Sequence, residues 1–277
     1  NLTIEGGTIT AQGGSGVNME DGDLTIKGGT FVRDSMIGAL ISAPAGAVVD
    51  VVIEGGDFLW GSRTISTNTG YDSSLISMME PTSTLLIKNG NFTFNMDNDA
   101  GVKKTDIFYR GIVVAGTAVV ENGNFEIIAK QASTASLEKM SLFRVVGNGT
   151  LTVKNGTFKG IGNFLALFEQ AEGGRIVING GTFNSNGAIL DMRNNTGATP
   201  NPTATLKGGT YSADPRVSGL YASNLIKVAE GYVVTENDGV YTVAKAVAKI
   251  GEDYYTIVFI PDTQNLVTGK YTDELLA

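Results

Sequence analysis

The side chains of this sequence that could act together chemically are Arg144, Glu169, Asp191 and Arg193. Each closes or follows a short apolar run: Leu142-Phe143 before Arg144, Leu165-Ala166-Leu167 shortly before Glu169, Ile189-Leu190 before Asp191. If those runs are equivalent strands on successive turns of a repeat, the four charges share one outward surface. Two guanidinium groups beside two carboxylates could hold a sugar acid or exchange protons with it, and surface ion pairing is the plainer alternative. Glycoside hydrolysis would want a compact set of carboxylates, which the sequence does not display.

The stretch Asn95-Met96-Asp97-Asn98-Asp99-Ala100-Gly101 is rich in the oxygen donors that calcium takes. Its glycine stands one place off the EF-hand spacing, and no glutamate closes the loop at the twelfth position. A polar turn therefore competes with a calcium loop built on Asn95, Asp97 and Asp99, and no other cofactor is expected. Trp60, Tyr71 and Tyr109 could stack on sugar rings. Trp60 is the single tryptophan, and its place directly after Phe58-Leu59 equally suits packing.

Absences narrow the chemistry further. The chain has no histidine and no cysteine, which removes the commonest general base, the commonest transition-metal ligand and every Ser-His-Asp arrangement. A net charge of −8 disfavours nucleic acid and anionic membrane surfaces as partners. No apolar run approaches the roughly 20 residues of a spanning helix.

The elements that must position these residues are written in an internal repeat. Eight segments align without gaps: Leu2 to Ile9, Leu24 to Phe31, Val51 to Phe58, Leu85 to Phe92, Ala118 to Phe125, Leu151 to Phe158, Ile176 to Phe183 and Ala204 to Tyr211. The first and third columns are apolar, the alternation of a strand with one buried face. The fifth column is Gly or Asn and the sixth always Gly. The Gly/Asn choice suggests that Asn89, Asn122 and Asn155 take a left-handed backbone. An aromatic follows in seven of the eight, from Phe31 to Tyr211, with Ile9 in the first.

The period varies, but strands, glycine bends and no helical pattern make it a β-solenoid. A second strand is expected at Leu40–Ser42, Leu75–Ser77, Ile107–Tyr109, Leu142–Arg144, Leu165–Leu167, Ile189–Asp191 and Leu225–Lys227. The expected fold is all-β, a right-handed single-stranded parallel β-helix of about eight rungs, the hand following the general rule for parallel crossovers. At about 4.8 Å per rung, such a rod would be about 35–40 Å long.

The fourth column reads Glu5, Lys27, Glu54, Lys88, Glu121, Lys154, Asn179, Lys207. Alternating signs on stacked rungs would keep like charges apart and hold the register. A Thr/Asn/Asp column follows the bend, but it lacks the Thr-x-Thr rows of an ice-binding face.

Residues 1–230 read as the β-helix and 231–243 as a capping hairpin that turns at Asp238-Gly239. Residues 244–277 read as a further strand segment or the start of another module. The longest rungs carry insertions at 59–84, 93–117 and 126–150, which leave the same bend and should form one flank, where solenoids usually bind. The sequence opens on Asn1 without a leader and reads as a processed or excised piece of a longer protein.

The bends, together with Val228-Ala229-Glu230-Gly231-Tyr232 and Asn237-Asp238-Gly239-Val240-Tyr241-Thr242-Val243, resemble large surface proteins of gut-dwelling Firmicutes and related bacteria, which carry pectate-lyase-like β-helices in tandem. Val247-Ala248-Lys249-Ile250-Gly251 before Tyr254-Tyr255 is similar to the connector opening the next module in them. The resemblance implies an extracellular location, on the bacterial surface or secreted. It implies an adhesin-like, non-catalytic role, with a glycan or a host or bacterial surface protein as partner beside further modules of the same chain. It also raises two alternatives, a polysaccharide lyase with Arg144, Glu169, Asp191 and Arg193 as catalytic candidates, and a purely structural spacer.

Overall fold

Eight Gly-containing bends divide the chain into rungs, and the first seven rungs are each built from three strands rather than two. In the computed structural model the described residues are 1–12, 14–34, 38–60, 63–64, 72–100, 108–130, 140–170, 172–193, 201–220, 223–251, 253–255, 257–260 and 265–268. The strand before each bend joins a nine-stranded sheet, here sheet one, from Leu2–Ile4 to Ile226–Val228. The strand after each bend joins sheet two, which runs from Thr8–Ala11 to Gly209–Tyr211 and is completed by the terminal hairpin to ten strands. A seven-stranded sheet three, from Val17–Asn18 to Ala188–Met192, closes the prism. All pairing between rungs is parallel, and the architecture is a parallel β-helix.

In sheet one the third repeat column forms one ladder, Ile4, Ile26, Ile53, Ile87, Val120, Val153, Ile178 and Leu206, each in register with the next. From Ile26 onward these side chains are at most 1% exposed. In sheet two the aromatic column forms a continuous stack. Phe31, Phe58, Phe92, Phe125, Phe158, Phe183 and Tyr211 lie with centroids 4.6–4.9 Å apart and planes within 10° of parallel. The rung spacing of parallel strands sets that separation, so the backbone ladder imposes offset stacking on the rings. Tyr211 ends the stack and donates its hydroxyl to the Gly208 carbonyl at 2.6 Å, and burial raises its phenol pKa well above the usual range.

The bend differs from the sequence expectation by one residue. Asn89, Asn122 and Asn155 have ordinary negative φ, and the positive φ belongs to the next column: Gly7, Gly29, Gly56, Gly90, Gly123, Gly156, Gly181 and Gly209, at +98° to +141°. From Gly7 to Gly181, the carbonyls of these glycines accept from the amide directly after the next rung's bend glycine, as in Asn124 N–H to Gly90 O at 2.9 Å. A Cβ on Gly123 would lie 3.0 Å from that Gly90 oxygen.

The asparagines play a lateral role instead. Asn155 donates to the Asn122 side chain at 3.4 Å, and in the column after the bend Asn124 donates to Asn91, and Asn91 to Asp57, at 2.9 and 2.8 Å. Gly123→Ala is therefore expected to destabilise by about 1–3 kcal/mol. Asn122→Ala should stay within about 0.5 kcal/mol. Urea unfolding midpoints of the two variants would check this, and a larger loss at Asn122 would contradict the placement of strain.

Sheet three carries further corrections. Ile41, Ile76, Ile112, Phe143, Phe168 and Leu190 are in register. In two rungs the strand is thus shifted from the expected alignment, which centred on Phe108 and Ala166. Leu225–Lys227 does not belong to this sheet at all, since Ile226 pairs with Ala204 in sheet one. The pairing also skips Leu40, Leu75, Leu142 and Leu167, each buried beside its equally buried successor. Two consecutive inward residues break the period-two rhythm and place the flanking positions on both sides outward.

The C-terminal end of sheet two is closed by the hairpin Tyr232–Asn237 and Val240–Lys245, which turns at Asp238 and Gly239 with φ of 50° and 76°. Its second strand pairs antiparallel with Gly209–Tyr211. Beyond it, Ala248–Ile250 pairs with Asp253–Tyr255, and Ile257–Ile260 with Asn265–Thr268.

The outward charge column of sheet one forms discrete pairs. Lys27 meets Glu5, Lys88 meets Glu54 and Lys154 meets Glu121, each at 2.9 Å. The hydrogen bond to Glu5, then its charge, raises the Lys27 pKa, and Lys88 lowers that of Glu54 in the same two ways. All are solvent-exposed, so their work is to specify which rung follows which more than to add stability.

Candidate functional site

Two outward columns of sheet three bring the polar residues together. The first is Ala39, Ser74, Arg110, Ser141 and the second Ser42, Ser77, Val113, Arg144, Glu169, Asp191, each residue one rung from the next. The four residues singled out from sequence do meet. Arg144 and Arg193 approach one Glu169 oxygen at 3.8 and 3.9 Å, and Arg193 Nε donates to Asp191 at 3.0 Å.

Sequence reasoning missed the residue that completes the cluster. Arg110 directly follows the expected strand Ile107–Tyr109, whose true register is shifted, and its side chain is 2% exposed. Its Nε lies 2.6 Å from Glu169, a second nitrogen donates to the other Glu169 oxygen at 3.2 Å, and Ser141 donates to Glu169 at 2.8 Å. Glu169 is thus a buried acceptor with both oxygens engaged, geometry that suits a structural anchor better than a proton shuttle.

Asp191 accepts the Leu220 amide at 2.7 Å as well as Arg193. Burial is the largest influence on it and raises its pKa; the Leu220 amide and Arg193 act the other way, and Glu169 adds to the rise. A carboxyl whose folded pKa exceeds its unfolded value binds its proton more tightly in the fold. That stability is complete below the ordinary Asp value of about 4 and is lost as pH rises through the raised value. Compared with Asp191→Asn, the unmodified chain is therefore expected to lose stability as pH climbs from below about 4 towards neutrality. Urea midpoints across that range would test it, and parallel curves for the two proteins would contradict it.

Of the three arginines, Arg144 is the one presented outward, with 22% of its side chain exposed against 2% for Arg110 and 11% for Arg193. Its Nε has no hydrogen-bond partner among the described residues. It borders a groove of about 450 Å³ on the outer face of sheet three, lined also by Ser42, Ser74, Ser77, Arg110 and Glu172. A second groove, about 520 Å³ and mainly apolar, lies where the last rungs cross from sheet two to sheet three, around Phe164, Leu165 and Val217.

The other sequence candidates fall elsewhere. Trp60 is 2% and Tyr109 0% exposed, so neither ring offers a face to a ligand. Trp60 packs edge-on against Phe94 at 4.5 Å, and the buried Arg33 guanidinium lies over its ring at 4.1 Å. Tyr71 lies outside the described residues, as do 61–62, 65–71, 101–107 and 131–139 of the insertion flank. Asn95 accepts the Asp97 amide and Asp97 accepts the Lys130 amide, the bonds of a polar turn. Asp99 enters a short parallel pairing with Arg63. Among the described residues no three Asp or Glu side chains converge as a metal site would need. No protein-family model matches the chain, and neither a curated protein nor a solved structure matches it.

Proposed function

We propose that this chain is a non-catalytic module of an extracellular bacterial protein, binding a glycan or a surface protein along the outer flank of sheet three while its solenoid serves as a stiff spacer. The observation that carries this reading is the groove on that face, where Ser42, Ser74, Ser77, Arg110, Arg144 and Glu172 stand among Met79, Val113 and Val146. A continuous ring stack and three parallel sheets make the support rigid, and a rigid support keeps the ordering cost of binding low. The resemblance to pectate-lyase-like modules of surface proteins supports the extracellular location.

The lyase alternative draws on the convergence of Arg144, Glu169, Asp191 and Arg193. It is weakened by the engagement of Glu169, whose oxygens are committed to Arg110 and Ser141. A glycan array run beside an assay for new unsaturated chain ends separates the two. Saturable binding without an absorbance rise supports the module. Cleavage of an acidic polysaccharide that is lost in Arg144→Ala would replace it with the enzyme, and neither binding nor cleavage would leave only the spacer.

A further inference from the structure

The outward charge column of sheet one has a single position that departs from its pattern. Lys27, Lys88 and Lys154 each pair with the glutamate one rung before them, at 2.9 Å. Lys207 stands in the same column and faces residue 179, because Ile178 and Leu206 are in register. Residue 179 is asparagine where the alternation requires an acid, and Lys207 has no ion pair among the described residues. We propose that Asn179 is a modification site, at which spontaneous deamidation through a cyclic imide supplies the missing carboxylate beside Lys207.

Gly180 follows Asn179, and a glycine brings no side chain to hinder attack by its own nitrogen. Hydroxide takes the proton from the Gly180 amide, and that nitrogen bonds to Cγ of Asn179. The Cγ–Nδ2 bond breaks, ammonia leaves with a proton from water, and a succinimide ring is closed. Water then opens the ring, at Cγ to give aspartate or at the main-chain carbonyl to give isoaspartate. Overall, water is consumed and ammonia released, without oxidant or reductant. Isoaspartate would lengthen the main chain where the Asn179 carbonyl packs so closely on Gly208 that a Cβ there would overlap it. Aspartate leaves the main chain as it is, so it is the product the fold accommodates.

The chain has six Asn-Gly pairs, and the structure separates them. Gly149 and Gly187 hold their amide protons in hydrogen bonds, to the Val146 carbonyl and the Ser185 hydroxyl, both at 3.1 Å. Gly90, Gly123 and Gly156 donate no such bond among the described residues, but they are buried and base reaches them poorly. The Gly180 amide is likewise unbonded there, yet Gly180 is partly exposed and Asn179 is exposed. Asn179 also stands between two lysines, Lys154 one rung before and Lys207 one rung after. Lys154 is already shared with Glu121, so Lys207 contributes the larger part. Its charge favours loss of the amide proton and the oxyanion that forms on Cγ, and afterwards it holds the carboxylate.

The test is a peptide map by mass spectrometry after the whole chain is held in mildly alkaline, heavy-oxygen water. Incorporation of the heavy oxygen should be fastest at Asn179, ahead of Asn89, Asn122 and Asn155. Lys207→Gln should slow the step at Asn179 by about threefold to tenfold, the worth of a surface charge at rung distance, and leave Asn122 unchanged. Asn179→Asp, which installs the product directly, should raise the urea midpoint at low salt. Adding Lys207→Gln should cancel that gain.

Faster incorporation at Asn89, Asn122 or Asn155, or none at Asn179, would overturn the site. A rate at Asn179 indifferent to Lys207→Gln would overturn the part given to the lysine. An unchanged midpoint in Asn179→Asp would overturn the completion of the charge column.

Discussion

Phe125→Ala is expected to destabilise the chain by about 3–5 kcal/mol, seen as a lowered midpoint in urea unfolding. The ring is 1% exposed and lies between Phe92 and Phe158 at 4.7 and 4.9 Å, with Phe143 tilted against it at 5.3 Å. Truncation would remove contacts on both faces and leave a cavity whose walls are pinned by the rung spacing, so little collapse can offset it. Because a rung in a solenoid touches chiefly its neighbours, the loss should be local. Hydrogen exchange should accelerate most in the strands bearing Phe92, Phe125 and Phe158. A change under about 1 kcal/mol would show that the stack is not under the constraint inferred from its geometry.

Glu169→Ala is expected to cost about as much, about 3–5 kcal/mol, for a different reason. The variant removes a carboxylate from beside the buried Arg110 and leaves Arg144 and Arg193 with one fewer counter-charge. A buried pair need not stabilise relative to an apolar one, however. Arg110→Met combined with Glu169→Leu should therefore recover most of the loss. The pair of single variants and the double variant form a cycle, and additive losses would contradict direct coupling.

The contrast between these two positions shows what could be read in the chain. Phe125 belongs to a column fixed by the bend two residues before it, and eight copies of one spacing reveal a buried face without homologues. Glu169 could be placed outward on the same logic. Arg110 could not, since the expected strand there was centred on Phe108, whereas Ile112 is the residue in line with Phe143 and Arg110 pairs with Ser141. Sheet three was the least legible part because paired inward residues such as Leu40 and Ile41 erase the alternation that marks a strand. Short apolar runs near Phe108 and Ala166 then fitted several registers.

At the bend, residue type misled. Asn tolerates a left-handed backbone, yet a glycine beside it takes that conformation at lower steric cost, and the asparagine is released for side-chain bonding. Trp60 could have gone either way from sequence. The arginine that covers it, Arg33, is in register with it one rung earlier, a partner that only the pairing of sheet two reveals.

The alternating charge column of sheet one also constrains how such a rod can change length. Its ion pairs join Glu54 to Lys88 and Glu121 to Lys154, so the molecule carries an arithmetic of even and odd. Excising Lys88 through Val120 would preserve every apolar column and the ring stack, yet set Glu54 directly against Glu121. Excising Lys88 through Val153 would set Glu54 against Lys154 and leave the signs alternating. Growth or shortening by two rungs keeps the parity, whereas a single rung breaks it, so along this part of the rod the natural unit of duplication is a pair of turns.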